Sequence, residues 1–142
     1  MRPMLILSSA LFLSSALAAA PTVSNVRFST SKTGEAMKSF TDTTAKIFLL
    51  CNIKGVSGAQ AQAVWIAEKV NKGVPANFTI DNAGVTLPVT SNKMFVNIIN
   101  FSLSKPTTGW PKGLYRVEVY VASSKDGVLP DKPTAVARFT VK

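Results

Sequence analysis

The chain contains no histidine, and its acidic and thiol groups are seven carboxylates and one cysteine. The carboxylates are Glu35, Asp42, Glu68, Asp81, Glu118, Asp126 and Asp131. Lack of His removes most hydrolase triads and the commonest metal ligand. No two carboxylates stand at a spacing that suggests a glycosidase pair or a calcium loop. Asp81, in Asp81-Asn82-Ala83-Gly84, and Asp126, in Lys125-Asp126-Gly127, read as turn residues whose side chains favour a chain reversal. Arg116 and Glu118 share one strand face and are expected to pair with charges on neighbouring strands. No constellation meets the geometric roles that catalysis needs, so the sequence points to a non-enzyme with no catalytic residue, cofactor or metal.

The thiol is Cys51, within Ala45-Lys46-Ile47-Phe48-Leu49-Leu50-Cys51-Asn52-Ile53. It shares a face with Ile47, Leu49 and Ile53 and reads as a buried small hydrophobe. A lone cysteine cannot form an intramolecular disulfide.

The net charge is +9, carried mainly by lysines scattered from Lys32 to Lys132 without a basic run. That pattern fits a solvated surface. Its functional alternative is weak binding of an extracytoplasmic polyanion, with no specific nucleic-acid recognition.

Residues 1–18 have the grammar of a secretory leader. Arg2 supplies the positive start, Met4 to Leu13 the apolar stretch, and Ala16-Leu17-Ala18 the small-x-small cleavage signal. The apolar run is shorter than the roughly 20 residues that span a bilayer, and no Cys stands at the cleavage point. Residues 19–142 then form a single domain, placed in the periplasm or outside the cell, with no later apolar stretch long enough for a membrane span.

The rest of the chain is organised as short strands. Val23 to Phe28 is the first. Residues 29–44 are a polar connection anchored by Met37 and Phe40. Residues 45–53 are the most apolar strand. Gln62 to Val70 reads as a strand centred on Trp65, with a two-turn helix as competitor because of the preceding Ala-Gln repeat. Ala76 to Ile80 and Val85 to Leu87 read as a hairpin around Asp81 to Gly84. Lys93 to Leu103, Leu114 to Ala122 and Thr134 to Val141 complete the set. Seven to eight strands at nearly even spacing argue an all-β antiparallel sandwich. Tyr115, Val117, Val119 and Val121 take the core face of the penultimate strand, and Ala137, Phe139 and Val141 that of the last.

Gly113-Leu114-Tyr115-Arg116-Val117-Glu118-Val119, behind the corner Lys105-Pro106-Thr107-Thr108-Gly109-Trp110-Pro111-Lys112, resembles the tyrosine corner of immunoglobulin-like and fibronectin-III-like domains. The resemblance implies that Tyr115 hydrogen-bonds backward across the corner. It places Cys51 and Val117 where the two immunoglobulin cysteines stand, and Trp65 where the core tryptophan stands. With no second Cys the inter-sheet disulfide is absent. The pattern Trp-Pro-x-Gly-x-Tyr-x-Val-x-Val is also similar to small exported bacterial domains of this build, a resemblance that carries no catalytic residues.

Contact residues are expected at the corner: Trp110, Lys112 and Lys105. Trp110 is either an exposed aromatic contact or a lid over the end of the core. Residues 47–50 and 94–101 are apolar on both faces. Either the 29–44 connection covers the outer face, or the patch marks a partner or self-association surface. The sequons at Asn77 and Asn100 fall within strands and read as chance matches. The expected function is an exported, non-enzymatic binding module of the bacterial envelope for an unknown protein or envelope polymer. The alternatives are a subunit that assembles through sheet edges and a polyanion-binding protein.

Overall fold

The computed structural model describes residues 20–91 and 94–142; at Met94 and Phe95 only the backbone is described. The leader expected over residues 1–18 lies outside the described residues. Eight strands follow in order: β1 (Thr22–Ser29), β2 (Ser39–Phe40), β3 (Lys46–Val56), β4 (Gln60–Val70), β5 (Phe78–Thr86), β6 (Met94–Ser104), β7 (Gly113–Val121) and β8 (Ala135–Val141). They form a three-stranded sheet, β1-β3-β6, and a five-stranded sheet, β2-β8-β7-β4-β5. Every strand pair is antiparallel except β2 with β8. The protein is an all-β sandwich of these two sheets. No helix among the described residues is long and apolar enough to cross a membrane.

The core is made by alternation on facing strands. β3 sends Ile47, Leu49, Cys51 and Ile53 inward, each fully buried. β4 answers with Ala61, Ala63, Trp65 and Ala67, and β7 with Tyr115, Val117, Val119 and Val121. The small alanines on β4 leave room for large rings from neighbouring strands, an interleaving that dense packing requires. Phe139 of β8 is the hub of the aromatic cluster. It stacks on Tyr115 with centroids 5.0 Å apart and planes 4° apart, and meets Phe28, Phe40, Trp65 and Trp110 edge-on at 4.9 to 6.4 Å. Phe28 belongs to the three-stranded sheet, so its contacts with Phe139 and Trp65 tie the layers together.

β4 is a strand throughout, which settles the helix competition. Its β-branched and aromatic residues sit between two long partners, and pairing on both sides outweighs the helix propensity of the Ala-Gln segment.

Two sequence expectations are corrected. Residues 76–87 do not form a hairpin: 78–86 run as one strand along β4, with a register shift opposite Trp65 and Ile66. The half-buried positions Ile80, Ala83 and Val85 change parity between 80 and 83. Either a turn or a bulge restores the inward phase, and the 11-residue β4 supplies a partner long enough to favour the bulge. Asp81 is therefore a strand residue. Nor does the 29–44 connection cover the outer face of β3 and β6. It crosses to the other sheet, where Phe40 enters the core beside Phe139 and β2 pairs with β8. Val96 and Ile98 on β6 stay 61% and 71% exposed. Leu50, on the same outer face, is buried between its register neighbours Arg27 and Asn100.

Candidate functional site

The segment between β6 and β7 is held by hydrogen bonds from four directions. Lys105 N–H donates to Ala45 at 2.8 Å, and Gly109 N–H closes a turn on Pro106 at 2.9 Å. Trp110 N–H donates to the Asp42 carbonyl at 3.0 Å, and its indole Nε1–H to the Thr44 carbonyl at 2.7 Å. Lys112 and Asn71 exchange two bonds, at 3.0 and 3.1 Å, through the Asn71 main chain and side chain. The Tyr115 hydroxyl donates to the Pro111 carbonyl four residues upstream. This is the backward bond that the resemblance to a tyrosine corner implied.

Gly113 permits the turn from corner into strand. Its φ of +144° lies in the region that favours glycine, and a Cβ there would collide with the Lys69 carbonyl and come within 2.7 Å of Val70 Cα. The bulge in β4 between Ala67 and Lys69 places those atoms against the corner.

Trp110 is completely buried, so it is not an exposed contact. Its amphipathic ring satisfies its one polar atom on Thr44 and packs edge-on against Tyr115 and Phe139, which closes this end of the core. Lys105 and Lys112 are exposed on either side of it. Trp65 and Val117 are register partners across β4 and β7, both buried. Cys51 lies in the same core cluster on the opposite sheet. Burial pushes its thiol up to about 11, against a smaller opposing pull from Arg27. A thiol held protonated is a packing group rather than a nucleophile.

Beside the corner lies a hollow of about 220 Å³. Trp110, Tyr115 and Pro111 form one wall; Val70, Val74, Phe78 and Ile80 form the other. Its lining is almost wholly apolar. The polar atoms of the two large rings are already spent, Trp110 Nε1 on Thr44 and the Tyr115 hydroxyl on Pro111. Lys72 Nζ reaches the Thr108 carbonyl on its margin at 3.4 Å. Sequence reasoning pointed to the 105–112 corner, of which Pro106, Thr108, Gly109, Trp110 and Pro111 line the hollow, and gave no signal for the β4–β5 side. Val70, Val74 and Phe78 are isolated apolar residues in polar surroundings, and only the 71–77 turn, with Lys72 and Asn77 at positive φ, brings them round to Trp110.

Two of the carboxylates, Glu68 and Glu118, meet elsewhere. On the outer face of the five-stranded sheet Arg138 forks onto Glu68 at 3.0 and 3.2 Å, and Arg116 contacts Glu118 at 3.1 Å and Glu68 at 3.5 Å. Tyr120 adds a bond to Glu118 at 2.9 Å. Arg116 and Arg138 are direct register neighbours, and the two glutamates offset the repulsion between them. The Arg138 hydrogen bond holds the Glu68 carboxyl below its ordinary value. Both glutamates sit in ion pairs, which suits a structural network. Among the described residues no cluster of three or more potential ligands could hold a metal ion.

Neither the protein-family comparison nor the comparison with curated proteins gives a match. Among solved structures, the chain is similar to a CARDB domain from Pyrococcus furiosus in complex with di-metal ions, at 16% identity over 86% of this chain and 87% of that one, with a TM-score of 0.42. It is also similar to part of a β-glucosidase from Listeria innocua, at 15% identity over 86% of this chain, with a TM-score of 0.44. The matched region spans only 16% of the glucosidase. At this identity and overlap, neither neighbour's ligand or activity bears on this chain.

Proposed function

We propose that the chain is an exported, non-enzymatic binding module of the bacterial cell envelope, with its contact surface at the 105–112 corner. The leader-like residues 1–18 support export. The observation that carries the binding role is the hollow of about 220 Å³, whose accessible lining comes from Val70, Val74, Phe78 and Ile80, with the buried rings of Trp110 and Tyr115 behind it. A rigid sandwich presents the loops that form it, the usual arrangement by which such scaffolds carry binding residues.

Indole, a small apolar probe, tests this reading. Titrated into isotope-labelled protein, it should shift the amide signals of Val70, Val74, Phe78 and Gly109, and Val74→Trp should abolish the response. A titration that moves no signal in this region would sink the reading.

A second reading, assembly through sheet edges, is favoured by β6. This edge strand runs 11 residues, from Met94 to Ser104, without a charge or a proline. It therefore lacks the usual protection against edge pairing, and Val96 and Ile98 add apolar surface beside the open backbone. Light scattering distinguishes the two. Concentration-dependent oligomers dispersed by Val96→Lys support edge assembly, and a monomer at all concentrations removes it.

A further inference from the structure

Positive charge predominates beside the hollow, where four lysines adjoin its lining or reach its margin. Building on the binding reading above, we infer that the hollow takes one bulky apolar side chain from an acidic segment of a partner protein, whose carboxylates lie against the surrounding lysines. Lys72 sits at the margin on Thr108, and Lys105 and Lys112 adjoin the lining residues Pro106 and Pro111. Lys69, also exposed, adjoins the lining residue Val70. Among the described residues none of these four lysines is in an ion pair. Fewer carboxylates stand nearby: Glu68 is held by Arg138 and Arg116, exposed Asp81 adjoins the lining residue Ile80, and Asp42 touches the corner through its main chain, so the lysines outnumber the unpaired acids.

The interior selects the anchor. At about 220 Å³ the hollow is smaller than the roughly 300–1,000 Å³ typical of small-molecule sites, and it suits one large side chain rather than an acyl tail. Its ring donors are already bonded, so the anchor gains nothing from being polar. Half-exposed Phe78 extends the apolar surface to the lip. The occupant is therefore read twice, by an apolar group inside and by negative charge outside.

Fluorescence anisotropy with three labelled peptides tests this: phenylalanine flanked on both sides by aspartates, alanine in the same acidic frame, and phenylalanine flanked by lysines. The acidic phenylalanine peptide should bind. Replacing its phenylalanine by alanine, or introducing Val74→Trp in the protein, should weaken binding roughly tenfold or more, the scale of one lost buried side chain. The double variant Lys72→Ala/Lys112→Ala should weaken it several-fold, as should added salt. These lysines are exposed, so an unchanged melting curve keeps that variant interpretable even if Val74→Trp folds poorly. Equal binding of the lysine-flanked peptide, or of the alanine peptide, overturns the inference. So does heparin binding that Val74→Trp leaves intact while no peptide binds. If indole still occupies the hollow in those cases, the binding reading stands alone; if indole also fails, both fall.

Discussion

The indole of Trp110 meets the Tyr115 ring edge to face, with centroids 5.8 Å apart and planes 84° apart. Each ring sends its polar atom back into the main chain of the corner or its neighbour, Trp110 to Thr44 and Tyr115 to Pro111. The pair fixes the entry into β7 and at the same time builds one wall of the hollow. Stability and the proposed recognition thus share residues here, and the clean tests of binding are on Val74 and the lysines.

Tyr115→Phe keeps the ring stack on Phe139 and removes only the hydroxyl. The Pro111 carbonyl loses its partner in a part-buried place. The expected loss is about 1–3 kcal/mol, read from chemical denaturation. An unchanged midpoint removes the corner bond as a stabilising element.

Gly113→Ala should destabilise by about 2 kcal/mol or more, because the side chain meets the Lys69 carbonyl and Val70 backbone at a positive φ. Ala at Gly73, whose φ of 72° lies in the left-handed helical region and which has open space around it, should cost less. Equal losses at the two sites would remove the close approach as the cause.

Stability should decline on the alkaline side. Burial raises the Tyr115 hydroxyl from 10.0 to about 12 and the Cys51 thiol from 9.0 to about 11. Both groups have folded values above their unfolded ones, so both release protons more readily when unfolded. Their stabilisation is complete below the unfolded values and is lost as pH climbs from 9.0 through about 12. Denaturation midpoints across that range should fall less steeply in Tyr115→Phe and in Cys51→Ala than in the unaltered protein. Parallel profiles would show that neither group titrates differently on folding.

Asn97 points into the sandwich from β6, and its Nδ2 is buried without a hydrogen-bond partner among the described residues. Asn97→Val removes the orphaned donor and adds a residue suited to a strand. It should raise stability by about 1 kcal/mol in urea denaturation. A destabilised variant would mean that the amide has a role in the folded protein.

Much of the frame was legible in the sequence because period-two alternation in β7 and β8 is strict, and the Pro/Gly corner before Tyr115 has no rival interpretation. Where the pattern admitted two solutions, tertiary pairing decided. The parity change near Asp81 fits a turn or a bulge, and only the length of β4 selects the bulge. Trp110 carried both an apolar ring and a donor, so its sequence context could not say which would dominate; the Thr44 carbonyl, 66 residues distant, decides it. The hollow is harder still, because its two walls come from segments separated in the chain and meet through the Asn71–Lys112 bonds.

The parallel pair β2–β8 has a mechanical consequence. Thr140 and Lys142 N–H groups bond to the Lys38 and Phe40 carbonyls, both at 2.9 Å, between strands that run the same way. Tension entering β2 from its N-terminal side and leaving β8 at its C-terminal end pulls these neighbours in opposite directions along their length. The two bonds are then sheared together instead of opened one after the other. A domain tethered at one end and loaded at the other would feel this short clasp as a force-bearing latch.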